Sequence, residues 1–132
     1  MYAKLTNTNL NKLLTLHNKL LRILQSKPRT TPTRQLYLNY NVLPIPELHK
    51  QQLIIFVYKY LYHSDLLPRA FLDDDYFALN NIIHNYNTRR HTNVHIFGVN
   101  TTHGRRSTRY RAAVLWNDLP ENIKNCKSLI QF

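Results

Sequence analysis

The sequence predicts a mostly α-helical domain with basic, extended connectors, and three observations carry that expectation. Apolar residues recur at helical spacing in three stretches, residues 7–25, 46–62 and 107–119. Residues that start or stop helices punctuate those stretches, as at Thr31 and Pro32, Pro46 and Pro120. At 132 residues and 43% apolar, the chain is long enough for one domain with one modest core.

In the first stretch, Leu10, Leu13, Leu14, His17, Leu21 and Leu24 fill one helix face, and Lys12, Lys19 and Arg22 gather on the opposite one. The cationic face reads as a solvated surface, a phosphate contact or a membrane-surface helix. His17, on the apolar side, reads as a core histidine. Residues 26–33 form a polar connector with two prolines; Thr31 as N-cap and Pro32 in the first turn predict a short helix through Gln35, Leu36 and Tyr37 that Asn39 to Asn41 ends. Arg29 and Arg34 extend the basic surface. Pro46 and Glu47 then open a helix whose Leu53, Phe56, Val57, Tyr60 and Leu61 make one stripe and whose Ile54, Ile55, Tyr58 and Tyr62 make a second. A helix apolar around most of its circumference is expected to be central, with its tyrosines in the core rather than stacking on bases.

Residues 63–69 read as a loop ending at Pro68. Asp73, Asp74 and Asp75 look like metal-binding carboxylates, yet they precede Tyr76 with no partner aspartate strand, so they read as N-terminal charge for a short helix over 76–83, with Asp75 as its cap. Val94 to Val99 alternate weakly, which leaves room for a short β segment near 94–99 before a turn at 100–104. In the last stretch Ser107 caps a helix carrying Ala112, Leu115, Trp116 and Leu119 on one stripe, and Pro120 prevents its continuation. Trp116 is the expected anchor, with Leu115 and Leu119 beside it.

Several functional classes are disfavoured by composition. With only Gly98 and Gly104, there is no phosphate-cradling glycine loop and no dinucleotide fingerprint, so no nucleotide cofactor is expected. The single cysteine, Cys126, cannot form an intrachain disulfide and supplies no paired-cysteine half of a zinc site for His84, His91, His95 or His103. No metal ligand set and no nucleophilic triad follows from the residues. The longest strongly apolar run, 53–58, falls far short of the ~20 residues that span a bilayer, and no membrane partner is expected. An intracellular setting, nuclear or cytoplasmic, is the matching expectation.

Charge is the unusual property. Eighteen Lys and Arg against seven Asp and Glu leave a net charge of +11. Residues 1–46 hold seven bases and no acid, and residues 84–117 hold Arg89, Arg90, Arg105, Arg106, Arg109 and Arg111 with no acid. Such fields repel themselves and attract polyanions, which points to a phosphate backbone, with Tyr86 and Tyr110 available to stack on bases.

The order Tyr-Asn-Thr-Arg at 86–89, Thr-x-x-Gly-Arg-Arg-Ser at 101–107, Tyr110, Leu-Trp-Asn-x-Leu-Pro-x-x-Ile-Lys at 115–124 and Ser-Leu-x-x-Phe at 128–132 resembles the C-terminal region of jockey-like non-LTR retrotransposon reverse transcriptases. Upstream, Leu20 to Ile23, Thr30 to Pro32, Leu36 with Tyr37, Leu43 to Ile45 and Tyr58 to Leu61 extend the resemblance over nearly the whole chain. The resemblance implies a fragment C-terminal to the fingers, palm and thumb, cut short of a further basic helix. It implies a parent RNA-directed DNA polymerase whose catalytic aspartates lie elsewhere, so the chain itself is expected to be non-catalytic. Related lineages carry a Cys/His knuckle near this point, and this sequence departs from them.

The favoured expectation is therefore a nucleic-acid-binding module that grips template RNA or target DNA with weak sequence preference. The candidate phosphate ligands are Arg89, Arg90, Arg105, Arg106, Arg109, Arg111, Lys12, Lys19, Arg22, Arg29 and Arg34. The competing expectation is a structural module, in which Trp116 and the apolar stripes dock on the polymerase thumb or another protein and the charge is solvation.

Overall fold

A computed structural model describes residues 7–72, 76–84, 90, 92–126 and 128. The described chain is mostly helical: α1 (Asn7–Leu24), α2 (Thr33–Tyr40), α3 (Ile45–Tyr62), α4 (Asn80–Ile83), α5 (Thr102–Arg105), α6 (Thr108–Asn117) and α7 (Glu121–Lys124), with 3-10 turns at Ser64–Leu66 and Arg69–Phe71. Buried apolar residues fall into two clusters rather than the one core expected, and the chain divides into two compact units, Met1–Gln51 and Gln52–Phe132.

In the first unit α1 packs on α2. Leu21, with Leu14 beside it, meets Leu36 and Tyr37, and the His17 ring stands edge-on to Tyr37 at 5.4 Å. The face that packs is narrower than the sequence suggests. Leu10, Leu14, His17 and Leu21 turn inward, whereas Leu13 and Leu24 are exposed, because the eight-residue α2 offers only one Leu-Tyr pair to cover them. Polar contacts tie the two helices: the Tyr37 hydroxyl donates to Asn18 Oδ1, and Gln25 Nε2 donates to the Leu36 carbonyl at 2.8 Å.

The turn after α1 has a left-handed residue, Ser26, at φ 50°. Its neighbour Lys27 donates its N–H to the Arg22 carbonyl at 2.9 Å, which closes the helix end. The α2 boundary differs by a residue or two from expectation. Pro32, not Thr31, is the N-cap, and no side chain caps the helix. Asn41 ends it in the left-handed conformation, one that asparagine tolerates better than most residues.

The second unit is built around the latter part of α3. Leu53, Val57 and Tyr58 are buried with Phe77, Val94, Ala112, Ala113 and Trp116. Of the α3 tyrosines expected in the core, Tyr58 is buried and Tyr60 partly buried, both with satisfied hydroxyls, whereas Tyr62 near the helix end is exposed. Tyr58 donates to the Cys126 carbonyl at 2.9 Å, and the Tyr60 hydroxyl accepts the Tyr76 N–H at 3.1 Å. Phe56 gathers Phe71, Tyr76 and Phe77 around it in edge-to-face contacts of 5.2, 5.8 and 5.5 Å.

The helix expected over 76–83 shrinks to α4. Residues 78–80 have their backbone groups engaged elsewhere: the Ala78 carbonyl accepts from His95 at 2.7 Å, the Asn80 N–H donates to Asn93 at 2.9 Å, and Leu79 bridges antiparallel to Val94. That bridge is all the β structure among the described residues, so the segment 94–99 is extended in part but forms no strand. Asp73, Asp74 and Asp75, with the cap expected at Asp75, lie outside the described residues. The turn expected at 100–104 is instead the single helical turn α5.

Candidate nucleic-acid interface

Two consecutive side-chain caps flank the exposed pair Arg105 and Arg106. Thr101 Oγ1 accepts the Gly104 N–H at 3.0 Å to start α5, and Ser107 Oγ accepts the Tyr110 N–H at 3.3 Å to start α6. Between them Gly104 lies against Val99. A Cβ there would sit 3.0 Å from Val99 Cβ and 3.2 Å from Thr101 Oγ1, closer than carbon normally packs. The Thr-x-x-Gly-Arg-Arg-Ser pattern thus encodes a helix link with a tight inner side. Arg105 and Arg106 occupy its outer side, exposed, and no acidic side chain among the described residues pairs with them.

The other arginines of the run have different fates. Arg109 is half-buried, its guanidinium carbon 3.8 Å from the Phe97 ring centroid and 5.7 Å from that of Tyr76. This cation–π contact with Phe97 gives Arg109 a structural role and withdraws it from the free phosphate ligands expected from sequence. Arg111 is also half-buried. Arg90 is exposed, and its carbonyl accepts from Asn80 Nδ2 at 3.0 Å. Arg89, Tyr86 and His91 lie outside the described residues.

Within the first unit Lys12, Lys19, Arg29 and Arg34 are exposed. Arg22 is not a free cation of that surface. Its guanidinium donates to the Thr31 carbonyl at 3.2 Å and the Asn18 carbonyl at 3.4 Å, bracing the 26–33 connector against α1.

Trp116 is the anchor expected of it, 1% exposed, with Leu115 and Leu119 packed against the same cluster. An indole so enclosed leaves no surface for docking on a thumb, which removes Trp116 from the competing structural reading. Pro120 ends the stripe and caps the start of α7.

Sequence reasoning missed a polar brace behind this site. Asn117 clamps the Val94 backbone as a strand would, Nδ2 donating to the carbonyl at 2.9 Å and Oδ1 accepting the N–H at 3.0 Å. Lys124, 6% exposed, donates to Asn93 Oδ1 at 3.3 Å, to the Asn117 carbonyl at 3.4 Å and to Glu121 Oε1 at 3.1 Å. Its ammonium thereby satisfies the C-terminal end of α6. No family model, curated protein or solved structure matches the chain. The Asn117 and Lys124 roles were hidden because a lone asparagine and a lone lysine carry no pattern, although both fall in the Leu-Trp-Asn-x-Leu-Pro-x-x-Ile-Lys run.

Beside the brace opens a cleft of about 580 Å³ whose lining includes Asn80, His84, Arg90, His95 and Asn117. His95 Nδ1 lies 3.1 Å from Asn80 Oδ1, and its ring meets His84 edge-on at 5.4 Å. Among the described residues no three His, Cys, Asp or Glu side chains converge as a metal set, and no helix is long and apolar enough to cross a membrane.

Proposed function

We propose that the chain is a non-catalytic nucleic-acid-binding module, comparable to the region that follows the polymerase domain in jockey-like retrotransposon reverse transcriptases. Arg90, Arg105 and Arg106 carry the phosphate contacts. The observation that supports this most is the pair Arg105 and Arg106, exposed beside two capped helix starts with no carboxylate among the described residues paired with them. A guanidinium left unpaired by its own protein keeps its full fork of donors for two phosphate oxygens. The net charge of +11 adds long-range attraction without sequence choice, so the natural target is RNA or DNA backbone rather than a base pattern.

Salt titration tests this directly. Replacing Arg90, Arg105 and Arg106 together with glutamine removes about three phosphate contacts, so the slope of log K against log salt on single-stranded RNA should flatten by about 2. The loss should be similar on unrelated sequences. A triple variant that stays helical by circular dichroism yet binds RNA and duplex DNA with the parent's slope would refute the assignment.

A further inference from the structure

The face of α1 next to the one that meets α2 is the least explained surface of the first unit. Leu13, Leu16, Leu20 and Ile23 recur at i, i+3, i+7 and i+10, with Leu24 beside Ile23, and all five are between 43% and 73% exposed. The same helix already spends Leu10, Leu14 and Leu21 on its buried side. The exposed row therefore stabilises nothing within the first unit. Its spacing is that of the seam between two packed helices, and it runs about 16 Å along the axis. Lys12 and Lys19, both exposed, stand immediately before Leu13 and Leu20 and line one margin of the row, and residues 1–46 contain no acid.

We infer that α1 is a docking surface for an amphipathic helix of another protein, one that is apolar on its contact face and acidic along the margin that meets Lys12 and Lys19. Charge selects this occupant. Paired α1 to α1, a second copy of the chain would bring Lys12 and Lys19 against lysine or His17 with no carboxylate on that helix, a like-charge arrangement in a chain of net charge +11. A helix lying in a membrane needs polar groups on both margins of its apolar arc, and here α2 occupies the second margin. An acidic-flanked helix both covers the leucines and neutralises the lysines. The contact is short, so the complex belongs among transient ones, on the order of micromolar in affinity. This inference rests on the first unit and does not depend on Arg90, Arg105 or Arg106.

The test uses the full chain and two synthetic helical peptides of three heptads, both with leucine at the seam and one with glutamate, the other with lysine, at the flanking positions. Fluorescence anisotropy should show the glutamate peptide binding at least about tenfold more tightly than the lysine peptide. Leu16→Gln with Leu20→Gln should weaken it by at least about tenfold with an unchanged circular dichroism spectrum, since both side chains are exposed. Lys12→Glu with Lys19→Glu should reverse the ranking of the peptides, which general attraction to a +11 chain would not do. An unreversed ranking, or indifference to the leucine changes, overturns the proposal. So does self-association in sedimentation that the leucine changes abolish, or binding to phosphatidylserine vesicles with no binding of either peptide.

Discussion

Arg109 and Lys124 show how the same positive charge is used in opposite ways within one segment. The Arg109 guanidinium lies over the Phe97 ring, where its weak hydration makes the contact favourable, while Arg105 and Arg106 stay in water. Lys124 is enclosed, and three oxygens share its ammonium. Removing that charge while keeping the stem should be costly because Asn93 Oδ1 and the Asn117 carbonyl lose their donor. Lys124→Met is expected to destabilise by about 1.5–3 kcal/mol in urea titration. Its salt-bridge partner Glu121 is 65% exposed, so Glu121→Ala should cost only about 0–1 kcal/mol. Equal losses for the two variants would show that the ion pair, not the brace of carbonyl and amide oxygens, is what matters.

At the scale of elements, the ends of helices are where single residues weigh most. Ser26 holds φ at 50° after α1, a conformation that strains a side chain with a Cβ. Ser26→Gly should raise the unfolding free energy by about 0.5–1 kcal/mol, and a loss would mean that the serine hydroxyl matters more than the backbone strain. The core tyrosines make α2 and α3 sensitive to alkali. Burial pushes the hydroxyls of Tyr37 and Tyr58 above the ordinary value of 10.0, with the nearby Glu47 adding to the effect at Tyr37 and Cys126 and Tyr62 adding to it at Tyr58. The native chain therefore holds these protons at a pH where the unfolded chain releases them. Their contribution to stability is complete below about pH 10 and is lost as pH rises past it. Tyr58→Phe should flatten the fall of unfolding free energy between about pH 9 and 11 relative to the parent, and parallel curves would mean that the Tyr58 hydroxyl titrates alike in both states.

For the whole molecule the decisive fact is that apolar burial is split. The second unit encloses Trp116, Tyr58, Val57 and Val94 almost completely, whereas the cluster of the first unit rests on Leu21, Leu36 and Tyr37. Local stability follows buried apolar contact, so the two units should open at different free energies. Native-state hydrogen exchange is expected to show α6 amides protected longer than those of α2. Protection that rises and falls together in the two helices would mean that they unfold as one cooperative body.

The sequence by itself determined the three helices α1, α3 and α6. Period-3.6 apolar spacing in α1, α3 and α6 and the Ser107 cap are local signals that need no knowledge of neighbours. It also marked Trp116 as an anchor, since an indole on an apolar stripe is costly to leave in water. Tertiary structure decided what periodicity cannot carry, namely which face of an over-apolar helix finds a partner and which charge stays free. Leu13 and Leu24 sit on the same apolar arc as Leu14 and Leu21, yet only the latter pair meets α2. Arg22, Arg105 and Arg109 are identical as letters, but one holds carbonyls, one faces water and one covers an aromatic ring. Segment 76–79 was lost as a helix for the same reason: its backbone hydrogen bonds are claimed by residues some fifteen positions away, as in His95 N–H to the Ala78 carbonyl, and a pairing at that distance leaves no trace in local spacing.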